Sequence, residues 1–394
     1  MKNFSLFLSL FLATLANHSA ITIPLAFVFL LISLFFNKGK YYFSSQKLII
    51  LITSITFIII HSILFKLSIL NYIPAKEFID SFEINFYKYI LLASYVFIIS
   101  IIIQHEKNEL LIKILSFILI IHITFFIIQF FVVYLTGYYL DFIYPITHEH
   151  SRYLFYGVEN NISIYRCTGL FVEPSTYSIS IFTLLLILES LGNKNKFLFY
   201  LTLLTMILSL SSISFILIPF YYLLKIIRKI KLSYLIVTIL LLFSFSYFSQ
   251  NNFIKTQIDK INNTSSIRFN LVNAIFDRKI DLLITGSGLY GIEKNIIDGT
   301  KATCNDNETC SNESINRKYA TPNDSGLLFY IFIKFGFFSF IILYLICYPF
   351  ITNYKKMSFF ICVLITKLQF AFPLFWIFVL ILRRQDSNEN TYRS

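Results

Sequence analysis

One short stretch of this sequence combines side chains that could do chemistry, the run from Arg166 to Ser175. It holds a guanidinium, a glycine, the carboxylate of Glu173 and a helix-start proline beside an apolar segment. Pro174 has a preset φ and no N–H, so it suits the first turn of a helix over about 175–191. The free N–H groups of that turn, together with Ser175 and Arg166, then favour a bound anion. The alternative is that Glu-Pro-Ser only starts the helix and Arg166 only anchors the chain at a membrane interface.

A second group of polar residues lies in the long polar stretch 250–323. Apolar residues recur there on approximately one face of a helix that Arg268 opens and near whose end Arg278 lies. Gly286 and Gly288 follow, and glycines at this spacing allow a tight turn or a close approach of the backbone to a ligand. A lone Gly-x-Gly without a βαβ setting does not indicate a dinucleotide site.

Asp324 repeats the arrangement seen at Glu173, because it is a carboxylate among small polar residues just before an apolar run. It can also be interpreted as a helix N-cap, a position that favours Asp. Two such helix starts, with arginines from two loops, would form a site able to hold a doubly charged phosphate group.

The composition identifies the chain as a polytopic membrane protein. Of its 394 residues, 57% are hydrophobic, 19% aromatic and only 14% charged, which is far from a soluble domain. The net charge of +12 comes from short clusters of Lys and Arg between apolar runs, which the positive-inside rule explains better than nucleic-acid binding. We expect no cofactor and no metal, since the sequence lacks an Asp-x-Asp pair and no histidine accompanies the two cysteines in 250–323.

Apolar runs long enough to cross a hydrocarbon core of about 30 Å recur along the chain. They predict an all-α, polytopic membrane helix bundle of about eleven or twelve transmembrane helices, forming one membrane domain over 1–394. Two long connections face outward in this interpretation, 137–174 and 250–323, and the polar tail 385–394 is predicted to be disordered. The predicted spans are 4–19, 21–37, 48–66, 86–104, 110–136, 175–191, 197–210, 212–227, 232–249, 325–348 and 358–382.

The loop charges predict a cytoplasmic N-terminus, with five Lys/Arg groups on the cytoplasmic side. The last apolar block complicates this, since Lys367 lies in its middle and Arg383 and Arg384 follow it. Either Lys367 marks the tip of a hairpin of two short helices, or a single span leaves the arginines outside. We favour the hairpin.

The pattern Arg-x-x-Gly-x-Phe-x-Glu-Pro-Ser, from Arg166 to Ser175, closely resembles a motif of Wzy-type O-antigen and capsular polysaccharide polymerases. The resemblance covers most of the chain as topology but only short stretches as sequence. Further features that look like this family are Arg268, Gly286, Gly288, Asp324, Gly326 and Gly336.

The resemblance implies an inner-membrane glycosyltransferase of the GT-C type that joins undecaprenyl-pyrophosphate-linked repeat units at the periplasmic face. By that resemblance Arg166 and Arg268 would neutralise the pyrophosphate leaving group, and either Glu173 or Asp324 would accept the proton of the attacking hydroxyl. Its expected partners are lipid-linked glycans, the bilayer and a chain-length regulator. Further expected contacts to the substrate come from Ser175, Gly286, Gly288 and either Arg152 or Arg278.

Three other functions compete with this one. An O-antigen ligase shares the architecture but tends to carry a histidine in the long outer loop, and none lies in 250–323. A flippase or other transporter usually places ionisable residues at the bilayer midplane, whereas those here lie in loops apart from Lys367. A structural or sensory protein would tolerate alanine at Arg166, Glu173 and Arg268. In the same loop, a disulfide between Cys304 and Cys310 is plausible.

Overall fold

The computed structural model describes residues 1–15, 19–36, 45–67, 82–147, 150–155, 164–227, 272–291 and 325–384. In these segments the regular secondary structure consists of helices and one pair of two-residue strands. This confirms the all-α class. The predicted span 232–249, the tail 385–394 and most of the stretch 250–323, including both of its cysteines, lie outside the described residues.

The elements follow the apolar runs of the sequence closely. The first half of the described chain contains α1 (Lys2–Thr14), α2 (Ser19–Phe35), α3 (Ser45–Lys66), α4 (Phe82–His105), α5 (Asn108–Thr136), α6 (Tyr144–Thr147), β1 (Leu154–Phe155) and β2 (Ile164–Tyr165). The second half contains α7 (Pro174–Ser190), α8 (Lys196–Leu208), α9 (Ser212–Ile227), α10 (Ile280–Thr285), α11 (Leu327–Phe335), α12 (Phe338–Cys347), a 3-10 turn (Tyr348–Phe350), α13 (Tyr354–Leu364) and α14 (Pro373–Arg383).

Three of these helices are apolar and long enough to cross a membrane. Their apolar stretches run over Lys47–Leu64, Asn85–His105 and Asn108–Thr136. The other apolar helices have 10 to 17 residues, shorter than the roughly 20 residues that a perpendicular crossing needs. The structure is therefore that of a helical protein with three apolar helices of membrane-spanning length, and the larger number of spans stays a prediction.

Two predicted spans are interrupted. The run 325–348 is divided at Gly336, whose φ of 54° ends α11 before α12 begins. The run 358–382 is divided into α13 and α14, and Lys367 lies in the connection between them. The Nζ of Lys356, in the first turn of α13, donates to the carbonyl of Arg384 just after α14 at 2.7 Å. The chain therefore reverses between the two helices, which confirms the predicted hairpin.

Helix α7 lies at the centre of the bundle. Every side chain from Tyr177 to Leu188 is buried, as expected of a helix that is apolar on all sides. It packs against α5, α8, α9, α13 and α14. Because Glu173 immediately precedes this helix, its position is set by the core of the protein.

The bundle has one lysine-rich end. There Lys2 pairs with Glu106 at 2.5 Å, and the guanidinium of Arg384 donates to the carbonyls of Ile103 and Glu106, both at 2.6 Å. At the far end of α7, Lys225 pairs with Glu189 at 3.2 Å. We call this region the lysine-rich end, and the opposite end, where α7 begins, the Glu173 end.

Candidate functional site

A short strand pair brings Arg152 to Glu173. The strands β1 and β2 are antiparallel, with Leu154 opposite Tyr165. The ladder continues beyond them, because the N–H of Arg166 donates to the carbonyl of Tyr153 at 2.6 Å. The N–H of Arg152 then donates to the carbonyl of Val172 at 2.8 Å. Arg152 and Arg166 thus lie on adjacent segments of backbone next to the start of α7.

The carboxylate of Glu173 bridges two cations that come from different parts of the chain. Its Oε1 accepts from Nη1 of Arg152 in a close ion pair. Its Oε2 lies 2.5 Å from the Nζ of Lys367 and accepts from the hydroxyl of Ser175 at 3.0 Å. Two cations thus share one carboxylate, so this group of charged side chains carries a net charge of +1.

The local sequence explains why this carboxylate is available for the cations. Glu173 is the N-cap residue of α7, with extended backbone, and Pro174 occupies the first turn, as the sequence predicts. The side chain of Glu173 makes no capping hydrogen bond to the helix backbone. A negative charge at a helix N-terminus is also favoured by the helix dipole.

The charges around Glu173 determine its ionisation. Burial by itself raises the pKa of Glu173, but the charges of Lys367 and Arg152, with hydrogen bonds from Lys367 and Ser175, outweigh burial and hold the pKa well below its ordinary value. In this state the carboxylate is ionised at neutral pH and is a weak proton acceptor.

Gln129 of α5 fixes the loop that leads to Glu173. It is fully buried, and its Oε1 accepts from the N–H groups of Thr168 at 2.7 Å and Gly169 at 2.9 Å. Its Nε2 donates to the carbonyl of Leu140 at 2.6 Å. One side chain of an apolar helix therefore connects both ends of the predicted loop 137–174.

Gly169 occupies a backbone conformation that favours glycine. Its φ is 58°, in the left-handed region, and a Cβ there would lie 3.4 Å from the ring of Tyr177. Phe171, two residues on, is fully buried beside the rings of His122 and Tyr177. The glycine and the aromatic residue of the motif are thus explained by packing.

The connection between α13 and α14 joins two helix starts. Lys367 reaches Glu173 at the start of α7, while the preceding carbonyl, of Thr366, accepts from the N–H of Leu327 at the start of α11 at 2.5 Å. Gly326 lies against the same connection, since a Cβ at this glycine would be 3.3 Å from the carbonyl oxygen of Ile365. The structure therefore brings the starts of α7 and α11 to a single connecting segment.

Arg278, Gly286 and Gly288 form a separate group against the break between α11 and α12. The buried guanidinium of Arg278 donates to the hydroxyl of Ser287 at 2.9 Å and to the carbonyl of Ile333 at 3.0 Å. The N–H of Gly288 donates to the carbonyl of Lys334 at 2.8 Å. The close approach that these glycines allow is therefore to the protein's own backbone, and their role in substrate binding stays a prediction.

The helix predicted around Arg278 is interrupted. Residues 272–276 are helical, residues 277–279 are not, and α10 begins only at Ile280. Arg278 thus lies in a break, from which its side chain reaches the end of α11.

The predicted site residues fall into three sets. Arg152, Glu173 and Ser175 are in direct contact, and Arg166 is held by the strand ladder beside Arg152. The group of Arg278, Gly286 and Gly288 has no described contact with them. Arg268 and Asp324 lie outside the described residues, so the choice of proton acceptor between Glu173 and Asp324 stays open.

Sequence reasoning overlooked two residues of this site. The sequence predicts Lys367 as the tip of a hairpin and not as a site residue, although an ionisable residue within an apolar block is itself an indication of function. Gln129 could have been noticed as a polar side chain inside a long apolar run. In the described part of the chain, no group of three His, Cys, Asp or Glu side chains could hold a metal ion.

Comparison of the chain with protein-family models, with curated proteins and with solved structures found no match. The motif and the geometry around Glu173 are therefore the features of this protein that bear on its function.

Proposed function

We propose that this protein is a polysaccharide polymerase of the bacterial inner membrane. It would transfer a growing glycan from an undecaprenyl-pyrophosphate carrier to a hydroxyl of an incoming lipid-linked repeat unit at the periplasmic face. The observation that carries the proposal is the pairing of Glu173 with Arg152 and Lys367 at the end of the bundle opposite the lysine-rich end. By the positive-inside rule the lysine-rich end faces the cytoplasm, so this site faces the periplasm.

The proposed reaction requires cationic side chains and a carboxylate. The acceptor hydroxyl attacks the anomeric carbon, a new C–O bond forms, and the bond from that carbon to the pyrophosphate breaks. The leaving pyrophosphate keeps the electron pair, and cations such as Arg152, Arg166 and Lys367 stabilise the charge that it gains. The proton of the hydroxyl passes to a carboxylate, either Glu173 or Asp324.

The experiment that tests this proposal is gel analysis of surface glycan from cells lacking the gene. These cells are complemented with wild type, Arg152→Ala, Lys367→Met or a matched control, Lys225→Met. Lys225 also pairs with a glutamate, but at the lysine-rich end. We expect a single repeat unit on the lipid core after deletion, a full ladder with wild type and with the control, and no ladder with Arg152→Ala or Lys367→Met at equal membrane levels.

Two other results would reject the proposal. Loss of all glycan from the core, with long lipid-linked polymer accumulating, would identify an O-antigen ligase. An unchanged ladder after deletion would favour a transporter or a structural protein.

A further inference from the structure

The carboxylate of Glu173 lies between the cations of Arg152 and Lys367. Each oxygen contacts a different cation, Oε1 that of Arg152 and Oε2 that of Lys367. The cations approach from separate segments, one from the strand ladder and one from the connection between α13 and α14. A carboxylate and a phosphate group present similar pairs of acceptor oxygens to such cations.

These three charged groups are only partly covered by protein. The exposed fractions of the side chains are 28% for Arg152, 18% for Glu173 and 21% for Lys367. All three side chains therefore keep part of their surface exposed. Together these three described side chains carry a net charge of +1, which favours the approach of an anion.

We propose that Glu173 acts as an internal substitute for a substrate phosphate group, and that the phosphate binds by displacing this carboxylate from Arg152 and Lys367. The identity of the ligand, a phosphate of a lipid-linked pyrophosphate, rests on the proposed function. The displacement itself rests on the bridging geometry.

The displacement has a chemical consequence for Glu173. A phosphate on Arg152 and Lys367 removes the positive charges that stabilise the ionised carboxylate and adds negative charge beside it. Glu173 then binds a proton more readily than in the ligand-free protein. Binding of the donor would thus convert a weak proton acceptor into one able to take the proton of the acceptor hydroxyl, while the leaving pyrophosphate stays on the two cations.

The test is a binding titration of the purified full-length protein in detergent at neutral pH. Inorganic pyrophosphate and farnesyl pyrophosphate are titrated separately. Tighter binding of farnesyl pyrophosphate than of pyrophosphate would assign the site to a lipid-linked donor. Equal binding of the two would assign it to a free phosphate compound. The variants are Glu173→Gln, Glu173→Asp, Lys367→Met and the matched control Glu189→Gln. Glu189 is a carboxylate at the other end of the same helix that also pairs with a lysine.

We expect Glu173→Gln to bind pyrophosphate at least about tenfold more tightly than wild type, because the competing carboxylate is gone. Lys367→Met should bind at least about tenfold more weakly, and the control should match wild type. Glu173→Asp keeps the charge but is one methylene too short to bridge both cations, so its affinity should lie between those of wild type and Glu173→Gln. This variant also serves if Glu173→Gln does not fold.

Equal or weaker binding by both Glu173 variants would overturn the inference. If, in addition, the glycan ladder is lost on deletion of the gene and restored by wild type, the displacement is rejected while the proposal of a polymerase is supported. If Glu173→Gln binds pyrophosphate more tightly but the glycan ladder is unchanged by deletion of the gene, the displacement is supported and the proposal of a polymerase is rejected.

Discussion

At the scale of single residues, the motif predicts where Glu173 lies but not which side chains contact it. The motif places a carboxylate before a helix-start proline, and the structure confirms the helix start at Pro174. The motif does not reveal that the carboxylate is already neutralised by Arg152 and Lys367. Both partners are distant in sequence, Lys367 by 194 residues, and no local pattern predicts such a contact.

The first prediction concerns the pH dependence of stability. The pKa of Glu173 is lowered in the folded protein from about 4.3 in an unfolded chain. Above that pH the carboxylate is ionised in both states, and its pairing stabilises the fold in full. As the pH falls below about 4.3, the unfolded state takes up the proton first, so stability is lost with a slope of at most about 1.4 kcal/mol per pH unit.

Thermal unfolding in detergent, followed from pH 7 down to about pH 3, measures this contribution. Wild type should exceed Glu173→Gln in unfolding temperature at pH 7, and the difference should shrink as the pH falls. A difference that does not change with pH would show that the charge of Glu173 contributes nothing to stability.

At the scale of elements, buried polar contacts attach the site to the helices. The apolar runs predict most helices, because hydrophobic length and helix-start chemistry are properties of the local sequence. They do not predict the interruption at Gly336, since the apolar run continues through it. That interruption depends on α10 packing its backbone against the end of α11, which is a contact between distant segments.

Gln129 provides a prediction about positioning of the loop. Gln129→Leu should destabilise the protein by about 1 kcal/mol for each hydrogen bond lost to Leu140, Thr168 and Gly169, and should weaken the glycan ladder because the backbone before Glu173 is no longer held. Gln129→Glu keeps the acceptor oxygen for the two N–H groups and should restore part of the ladder.

Thr124→Val on the same helix is the matched control, since the exposed Thr124 hydroxyl bonds only to the carbonyl of Ile120 in its own helix. Denaturant or thermal unfolding and the glycan ladder are measured on all variants. A full ladder from Gln129→Leu would contradict a positioning role.

The contact between α10 and the end of α11 leads to a prediction of steric overlap. A Cβ at Gly286 would lie 2.5 Å from the backbone of Lys334 and Gly336, too close for the two segments to stay in place. Gly286→Ala should therefore destabilise the protein by on the order of 3 kcal/mol, from overlap and from a positive φ.

Gly137→Ala is a control for a positive φ without overlap. Gly137 has a φ of 71° and a ψ of −3°, in the left-handed region, and open space around its Cβ position. Gly286 has a φ of 72° and a ψ of −174°, a conformation that is nearly restricted to glycine. We expect Gly137→Ala to cost only about 1 kcal/mol, the contribution of a left-handed backbone. Equal losses of unfolding temperature in the two variants would show that overlap plays no part.

At the scale of the whole molecule, several charged segments lie at one end of the bundle, where Lys2 and Arg384 contact Glu106 and where Lys225 and Lys355 contact Glu189. Loop charges predict this grouping, because Lys and Arg clusters report orientation along the chain, while the alternation of the whole chain stays a prediction. The packing of helices around α7 could not be predicted in the same way, since every apolar side chain is equally compatible with lipid or with a neighbouring helix.

Orientation in the membrane is tested by labelling one introduced, exposed cysteine at a time. Tyr138 is 67% exposed near the Glu173 end, and Lys194 is exposed at the other end. Cys304 and Cys310 are replaced by serine, and the three other native cysteines, Cys167, Cys347 and Cys362, are buried. In this background Tyr138→Cys should react with a membrane-impermeant maleimide on intact spheroplasts, and Lys194→Cys only after permeabilisation. The reverse pattern would place Glu173 in the cytoplasm.

The separation of Glu173 and Lys367 in the chain also determines when the site can first exist during synthesis. At about 5–20 residues per second, the ribosome adds Lys367, which lies 194 residues after Glu173, long after α7 has emerged. Until then Glu173 has no contact with the second of its two cations. The group around Glu173 is thus completed by the hairpin of α13 and α14, and a nascent chain that already holds the entire motif still lacks one of the two cations.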